Sequence, residues 1–150
     1  MTRIRNATEK DFYESLKIAK SLDKWFNNLS LKSMSVDFKL NHLAVAIDKK
    51  KVAGFLCYSS WEGSMNINWI GVKKEYQKKG IGNSLIDWLG EKAKEYGMKY
   101  LRVETLSNMH SNKYYEKTRQ FYYKKGFKKI YDFKSVNKGW NNTILLEKKI

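Results

Sequence analysis

The sequence predicts an α/β or α+β fold, in which helices pack on a single layer of β-sheet. Three apolar runs separated by short polar turns, at residues 43–47, 52–61 and 66–72, are typical of an antiparallel meander. A helical pattern at about 82–96 then leads to another apolar run at 100–106. Because that connection is a helical crossover, the run at 100–106 should pair in parallel with the run at 66–72.

Nothing along the chain marks a domain boundary. The 150 residues contain no proline, and they include no Gly/Ser-rich linker and no internal repeat. A composition that is 42% hydrophobic and 15% aromatic is sufficient for one core, and a chain of this length can bury about 70% of its unfolded surface. We therefore expect a single domain over residues 1–150.

The N-terminal segment predicts a short strand at residues 4–7 that runs into a helix. Thr8 is placed as the N-cap of that helix, and Asp11, three residues later, completes a weak capping box. A second short helix is predicted around residues 25–29, with irregular chain from about 30 to 35. The last part of the chain predicts a helix from about 114 to 125, then two strands near 127–133 and 140–147 around a turn at 137–139.

The net charge of +15 invites a nucleic-acid interpretation, but the type and placement of the basic residues argue against it. All but four of the 30 basic residues are lysines, whereas bidentate contacts to phosphates and bases favour arginine. The lysines are also spread along the whole chain. They indicate a solvated surface, and nucleic acid is not the expected partner.

Three features favour a cytoplasmic protein with no membrane partner. No window approaches the ~18 apolar residues of a membrane span, and residues 1–8 lack the apolar stretch of a signal peptide. The single cysteine, Cys57, lies in the apolar run 54–58 and can form no internal disulfide. It is interpreted as a small buried hydrophobe rather than a nucleophile.

The segment 70–83 predicts a strand, a loop with two glycines and the start of a helix. Such a junction directs free backbone N–H groups and the positive end of the helix dipole toward one point. Gly80 and Gly82 would let a ligand approach the main chain, and Lys78 and Lys79 add positive charge, so a pyrophosphate would suit this site. A plain turn is the alternative, because the pattern is neither a P-loop nor a dinucleotide fingerprint.

Two segments resemble the GNAT N-acetyltransferases. Val72 followed by Gln77-x-x-Gly80-x-Gly82, after a meander and before an amphipathic helix, is similar to the acetyl-CoA motif of that family. Phe121-Tyr122-Tyr123-Lys124-Lys125-Gly126-Phe127 resembles the Phe-Tyr-x-Lys-x-Gly-Phe signature of the family's last core helix. Residues 4–8 also look like the family's first strand and helix start, so the resemblance covers nearly the whole chain.

The resemblance implies a mixed, mostly antiparallel twisted sheet of about seven strands, with a splayed parallel pair (strands 4 and 5) and about four helices. It implies an acetyl-CoA-dependent N-acetyltransferase that transfers the acetyl group to a primary amine by direct attack in a ternary complex, without a metal. The acceptor would be a small-molecule or peptide amine. The family also makes a homodimer a possible assembly.

By the same resemblance, the main chain of Ile70, Gly71 and Val72 would pair with the pantetheine arm, and one N–H there would polarise the thioester carbonyl. The pyrophosphate would lie in the loop formed by Gln77, Lys78, Lys79, Gly80, Ile81, Gly82 and Asn83. Tyr122 falls where the family often has a tyrosine that acts as general acid toward the departing thiolate. A packed core aromatic is the alternative for Tyr122.

Two positions depart from the family pattern. Asn66 stands where the family commonly carries a glutamate base, and an amide cannot accept a proton near neutral pH. Tyr115 replaces an asparagine of the last-helix motif, as in a Tyr-x-x-Thr-x-x-Phe-Tyr variant of that motif that Thr118 also fits. Glu104 is taken as the catalytic candidate for the base, because the fifth strand should border the cleft. Other candidates are Glu62, His110 and a relay of waters, or the amine arrives already neutral. For each side chain a solvated surface role is the alternative.

The departure at Asn66 keeps a second function open, a catalytically weak acetyl-CoA-binding or sensor module of the same fold. A basic nucleic-acid-binding domain is a third, supported by net charge alone. The acceptor has no motif in the sequence. Four aromatic residues either line its pocket or fill core: Trp25, Phe26, Trp61 and Trp140.

Overall fold

The structure is a computed structural model that describes residues 2–107, 112–136 and 140–150. Over these residues the chain forms seven strands and four α-helices. In chain order they are β1 (Arg3–Asn6), α1 (Glu9–Ser21), α2 (Asn28–Leu40), β2 (His42–Asp48), β3 (Lys51–Trp61), β4 (Ser64–Val72), α3 (Ile81–Glu95), β5 (Tyr100–Leu106), α4 (Lys113–Lys124), β6 (Lys128–Phe133) and β7 (Thr143–Lys149). The predicted turn at 137–139 lies outside the described residues.

The strands form one sheet in the order β1-β2-β3-β4-β5-β7-β6. β4 and β5 pair in parallel, and every other neighbouring pair is antiparallel. The crossover between β4 and β5 is made by α3, which lets these two strands run in the same direction. The predicted mixed, mostly antiparallel sheet of seven strands with a parallel fourth and fifth strand and four helices is confirmed.

Helices cover both faces of the sheet, and each face has its own apolar core. On one face, α3 contributes Leu85 and Leu89, and α4 contributes Tyr122. On the other face, α1 and α2 contribute Ile18 and Phe38. We call these the α3 face and the α1–α2 face. No helix in the described ranges is long and apolar enough to cross a membrane.

α1 begins at the predicted cap. The Thr8 backbone N–H donates to the Asp11 carboxylate at 2.7 Å, and an Arg5 guanidinium N–H donates to the same carboxylate at 2.6 Å. Burial opposes ionisation of Asp11, but the hydrogen bonds from Arg5 and Thr8 outweigh it and lower the pKa of this carboxyl. The charged side chain therefore joins the end of β1 to the start of α1.

The segment after α1 differs from the prediction. Residues 28–40 form one continuous helix, α2, whereas the sequence predicted a short helix at 25–29 and irregular chain at 30–35. Asn27 is its N-cap, and its side-chain oxygen accepts from the Ser30 N–H at 3.0 Å. Three serines between residues 30 and 35 lower the intrinsic helix propensity, but burial of Met34 and Phe38 overrides that preference.

β4 and β5 pair at one end and separate part-way along their length. We call the point of separation the fork. Their pairing runs from Ser64 to Ile67 on β4 and ends there, although both strands continue. At this point Asn68 is an extra residue in β4, because Cys57 of β3 pairs with Trp69 while the next residue of β3 pairs with Ile67. Such a bulge bends its strand, which is consistent with the loss of pairing to β5.

Candidate active site

A cleft of about 860 Å³ opens at the fork. Its walls come from the separated ends of β4 and β5, the loop between β4 and α3, one side of α4, and the turn before α2. Residues from both faces of the sheet line it, so the cleft passes through the fork from the α3 face to the α1–α2 face. Two ligands could therefore meet at the fork from opposite sides.

Beyond the fork, the main chain of β4 has an edge that no strand of the described residues covers. On its other edge, the Lys73 N–H donates to the Ala53 carbonyl of β3 at 2.9 Å. Backbone groups of successive residues point to alternate edges, so those of Ile70 and Val72 point toward the fork. The Gln77 side chain donates to the Val72 carbonyl at 3.0 Å, which leaves the Val72 N–H and the backbone of Ile70 facing the cleft.

Gly71 lets β4 pack tightly between the two ligand-facing residues. A Cβ atom at this position would lie 2.6 Å from the Phe55 ring and 3.1 Å from a methyl group of Leu22. No side chain can be accommodated there without displacing the α1–α2 core. Close packing of Phe55 and Leu22 against Gly71 therefore fixes the position of β4 in the cleft.

The loop between β4 and α3 is held in shape by its own contacts. A short 3-10 turn spans Lys74–Tyr76, and the Gln77 side chain fastens the loop to β4. Lys78 has a φ angle of 62° and Gly80 one of 81°, both in the left-handed region. Glycine adopts this conformation without steric cost, so Gly80 can act as the N-cap of α3 and turn the chain into the helix.

The N-terminus of α3 faces the cleft without a side-chain cap. The Ser84 N–H donates to the Gly80 carbonyl at 3.0 Å and begins the helical ladder. The N–H groups of residues 81–83 precede that ladder and carry the positive end of the helix dipole, which suits an anion. Lys78 and Lys79 are exposed beside them, so the predicted phosphate residues do lie together.

Gly82 lies in the first turn of α3 and faces the Phe121 ring near the end of α4. A Cβ atom on Gly82 would lie 3.4 Å from Cζ of the Phe121 ring, which is already a close contact. A longer side chain at this position would displace that ring or project in front of the helix N-terminus. The glycine therefore keeps this part of the cleft open.

Tyr122 lines the cleft from α4 and is also part of the core, with 2% of its surface exposed. Its ring packs edge-on against Phe121 and Phe127, each at a centroid distance of 5.3 Å. Burial, with a smaller effect of the nearby Tyr115, raises the pKa of Tyr122 well above that of an ordinary phenol. The hydroxyl is therefore protonated at neutral pH.

Tyr115 joins α4 to the turn before α2. Its hydroxyl donates to the Trp25 carbonyl at 2.5 Å, and burial raises the pKa of Tyr115 to about 12. Next to it, the rings of Trp25 and Tyr114 pack edge-on with centroids 5.1 Å apart. These contacts close one side of the cleft, a role that the sequence alone did not indicate.

Asn66 and Glu104 lie on the α1–α2 face at the fork. Asn66 pairs in register with Arg102, and Glu104 is two residues further along β5, so all three side chains emerge on the same face. Glu104 is exposed, lines the cleft, and accepts a short hydrogen bond from the Thr143 hydroxyl. It is therefore well placed to contact a ligand that enters from this face.

Glu62, another candidate base, is not brought into the cleft. Glu62 lies in the turn between β3 and β4, does not line the cleft, and has its carboxylate 3.9 Å from the Arg102 guanidinium. His110 lies outside the described residues. No group of His, Cys, Asp and Glu within the described ranges could hold a metal ion.

The α1–α2 side of the cleft is aromatic and carries an acidic group that sequence reasoning missed. Asp37 of α2 lines it, held by the Trp69 indole N–H at 2.7 Å, and forms no ion pair with any described residue. The four aromatic residues in question all line the cleft: Trp25, Phe26, Trp61 and Trp140. The sequence did not indicate Asp37 because this residue lies on α2, a helix that was not predicted there.

Cys57 is fully buried on the α1–α2 face and does not line the cleft. Burial, together with the Asp37 carboxylate, raises the pKa of this thiol to about 12. It is therefore a neutral thiol at physiological pH, and the interpretation of Cys57 as a small buried hydrophobe is confirmed.

The family model described as "Acetyltransferase (GNAT) domain" matches residues 39–129. This range begins at the end of α2 and extends into β6, so it contains the fork, the loop before α3 and the whole of α4. None of the curated proteins matches the chain.

Solved structures with a similar fold include three acetyltransferases, and at these identities the likeness shows the fold alone. A GNAT-family acetyltransferase from Desulfovibrio desulfuricans has a TM-score of 0.84 at 22% identity, with 99% of each chain covered. A GNAT-family acetyltransferase from Elizabethkingia anophelis with acetyl-CoA bound has a TM-score of 0.78 at 21% identity, covering 99% of this chain and 98% of that one. The ribosomal-protein-S18-alanine N-acetyltransferase from Escherichia coli has a TM-score of 0.77 at 18% identity, covering 100% and 94%.

Proposed function

The chain belongs to the GNAT family of acetyltransferases, and from this membership we propose that it is an N-acetyltransferase. It transfers the acetyl group of acetyl-CoA to a primary amine by direct attack within a ternary complex. The observation that carries the proposal is the fork, where an uncovered edge of β4 and an uncapped helix N-terminus open on one cleft. A single domain over residues 1–150 and a cytoplasmic location are parts of the same proposal.

The α3 side of the cleft has the groups that an acyl-CoA would need. The N–H groups at the start of α3 would hold the pyrophosphate, assisted by the charges of Lys78 and Lys79. The backbone of Ile70 and Val72 would pair with the amides of the pantetheine arm, as an added strand pairs with a sheet edge. One of these N–H groups would then stabilise negative charge on the thioester oxygen.

The amine would enter from the α1–α2 face. This side offers aromatic walls and two carboxylates, Asp37 and Glu104, that form no ion pair with described residues. A small-molecule amine or the amine of a peptide would fit these surroundings. Among proteins of similar fold, the Escherichia coli enzyme named above acts on an alanine of a ribosomal protein.

Tyr122 would donate a proton during the reaction, and Glu104 would accept one. As the amine nitrogen bonds to the thioester carbon and the carbon–sulfur bond breaks, Tyr122 gives its phenolic proton to the departing sulfur. The new amide nitrogen gives up its surplus proton to Glu104, directly or through water. Solvent then returns a proton to Tyr122 and takes one from Glu104, so the charges balance over a turnover.

Direct transfer is preferred to an acetylated enzyme intermediate because Cys57 is poorly suited to carry an acetyl group. The chain has no other cysteine, and this thiol is buried, neutral and outside the cleft. A thiol in that state is a poor nucleophile. The state of Cys57 therefore favours direct attack of the amine on acetyl-CoA while both are bound.

The proposal is tested by measuring free-thiol release from acetyl-CoA with 2-phenylethylamine, 1,4-diaminobutane, spermidine and a short peptide with a free N-terminus. We expect release that depends on both the protein and one of these amines. An increase in melting temperature with acetyl-CoA but no release with any amine would instead favour the sensor module that Asn66 keeps open. Neither binding nor release would contradict both.

A further inference from the structure

Asn66 stands at the fork on the side where the amine would enter. It is half-buried, lines the cleft, and lies opposite Arg102 of β5. Arg102 is already engaged by Glu147, with its Nε atom 2.8 Å from the carboxylate. Two residues before Asn66, on the same face, Ser64 is fully buried and contacts the Asn66 amide from behind. The amide is thus held at one end and open to the cleft at the other.

The Ser64 hydroxyl determines which end of the amide is open. Its oxygen lies 2.7 Å from the Trp61 carbonyl oxygen and 3.0 Å from Oδ1 of Asn66. A hydroxyl has one proton and a carbonyl can only accept, so the shorter contact takes that proton. The hydroxyl oxygen can still accept, and the amide group beside it must therefore donate.

The two ends of a side-chain amide have the same shape, and hydrogen-bond counting decides which is nitrogen. The hydrogen bonds at Ser64 assign the amide nitrogen of Asn66 to the end that contacts the serine. The amide carbonyl oxygen then points into the cleft. That oxygen is a hydrogen-bond acceptor at the point where strands β4 and β5 separate. A neutral primary amine has two N–H groups to donate and one lone pair to use in attack.

We propose that the side-chain carbonyl of Asn66 positions the attacking amine by accepting a hydrogen bond from it. This inference rests on the proposed N-acetyltransferase function. An amide oxygen holds the amine without stabilising its charged form as strongly as a carboxylate would, and the charged ammonium has no lone pair for attack. Asn66 is thus a substrate-positioning residue, and the surplus proton leaves by another group.

The inference is tested with Asn66→Ala and Asn66→Asp, using whichever of the four amines above gives the highest turnover. Asn66→Ala should raise KM for the amine about three- to ten-fold, the size of one hydrogen bond, and leave KM for acetyl-CoA unchanged. Asn66→Asp keeps an oxygen in the cleft, and the Ser64 hydroxyl can turn its proton from the Trp61 carbonyl to the new carboxylate, so KM for the amine should return to within about two-fold of wild type. Melting temperatures of both variants check that they are folded.

Each outcome separates this inference from the proposed function. Wild-type turnover with an unchanged amine KM in Asn66→Ala would overturn the inference alone. If Asn66→Asp were as impaired as Asn66→Ala, the amide would be donating rather than accepting, and the inference would also fail. If the wild type released no thiol with any amine, the proposed function would fail and this inference with it.

Discussion

At the scale of single residues, Tyr122 is the side chain on which the proposed chemistry most depends. Its enclosure keeps the phenol protonated, but it also makes the phenol a weaker acid than tyrosine in water. Tyr122→Phe keeps the packed ring and removes the proton, so turnover should fall at least ten-fold, since general acid catalysis is worth about 10²–10⁴-fold. Acetyl-CoA affinity should be nearly unchanged, because the proposed contacts with acetyl-CoA lie on β4 and at the start of α3.

Steady-state kinetics with a parallel acetyl-CoA binding titration checks this prediction. Turnover within about two-fold of wild type would reduce Tyr122 to a core aromatic. The pH profile gives a second test: because the pKa of Tyr122 is raised, its ionisation should not lower kcat as pH rises up to the ordinary phenol value of about 10. A fall assigned to a tyrosine below that pH would contradict the enclosed environment.

A second prediction at this scale concerns stability and Ser15 of α1. Its side chain is fully buried, and its hydroxyl has no hydrogen-bond partner among the described residues. Ser15→Ala removes a buried, unsatisfied polar group and should raise the free energy of unfolding by about 1 kcal/mol, or the melting temperature by roughly 2–4 °C. Thermal denaturation measures this effect.

Ser21→Ala in the same helix is the matched control. The Ser21 hydroxyl is exposed and donates to the Ile18 carbonyl at 2.6 Å, so its removal should bring no comparable gain. Equal shifts in the two variants would mean that helix propensity, not burial of the unsatisfied hydroxyl, explains the effect at Ser15.

At the scale of elements, the start of α3 is the part of the cleft that the proposal assigns to phosphate. Gly82→Glu would place a carboxylate before the helix N-terminus and press on the Phe121 ring, which is 3.4 Å from the position of a Cβ atom. Repulsion between like charges costs several kcal/mol, so acetyl-CoA affinity should fall by more than about ten-fold. Isothermal titration of the folded variant measures this loss.

Gly82→Ala is the control that distinguishes the effect of the glutamate's charge and size from the effect of losing the glycine. It adds only the Cβ atom, so its acetyl-CoA affinity should stay close to that of wild type. An unchanged affinity in Gly82→Glu would show that the phosphates bind elsewhere.

Most of the strands and helices could be predicted from the sequence. The meander, the crossover and the parallel pairing of β4 and β5 follow from apolar periodicity and connection length, which are local properties. α2 was missed because its serines weaken the local helical signal, and the burial of Met34 and Phe38 that stabilises it depends on the assembled sheet. Missing α2 also concealed Asp37, whose place in the cleft depends on that helix.

The candidate site was predictable where it depends on backbone. Glycines before a helix indicated a loop suited to a phosphate, and the chain does turn into α3 at Gly80. Contacts between distant side chains were not predictable: the Gln77 bond to Val72, the Tyr115 bond to Trp25 and the hydroxyl of Ser64 behind Asn66 depend on the folded geometry.

At the scale of the whole molecule, the described part of the sheet separates two faces, and the cleft at the fork connects them. The α3 face offers backbone N–H groups and lysines, whereas the α1–α2 face offers aromatic walls, Asp37 and Glu104. An anionic donor and an amine would therefore approach from opposite faces and meet only at the fork. The net charge of +15 would also favour the approach of an anionic donor.

We propose that an acetyl group from acetyl-CoA is joined to an amine at the fork. The most direct measurement uses acetyl-CoA with an isotopically labelled acetyl group and follows the label by mass spectrometry, with the best of the four amines, for the wild type and Gly82→Glu. We expect label on the amine nitrogen at a rate proportional to the concentration of wild-type protein, and much less label with Gly82→Glu. Label found only as free acetate, or on the amine at the protein-free rate, would contradict it.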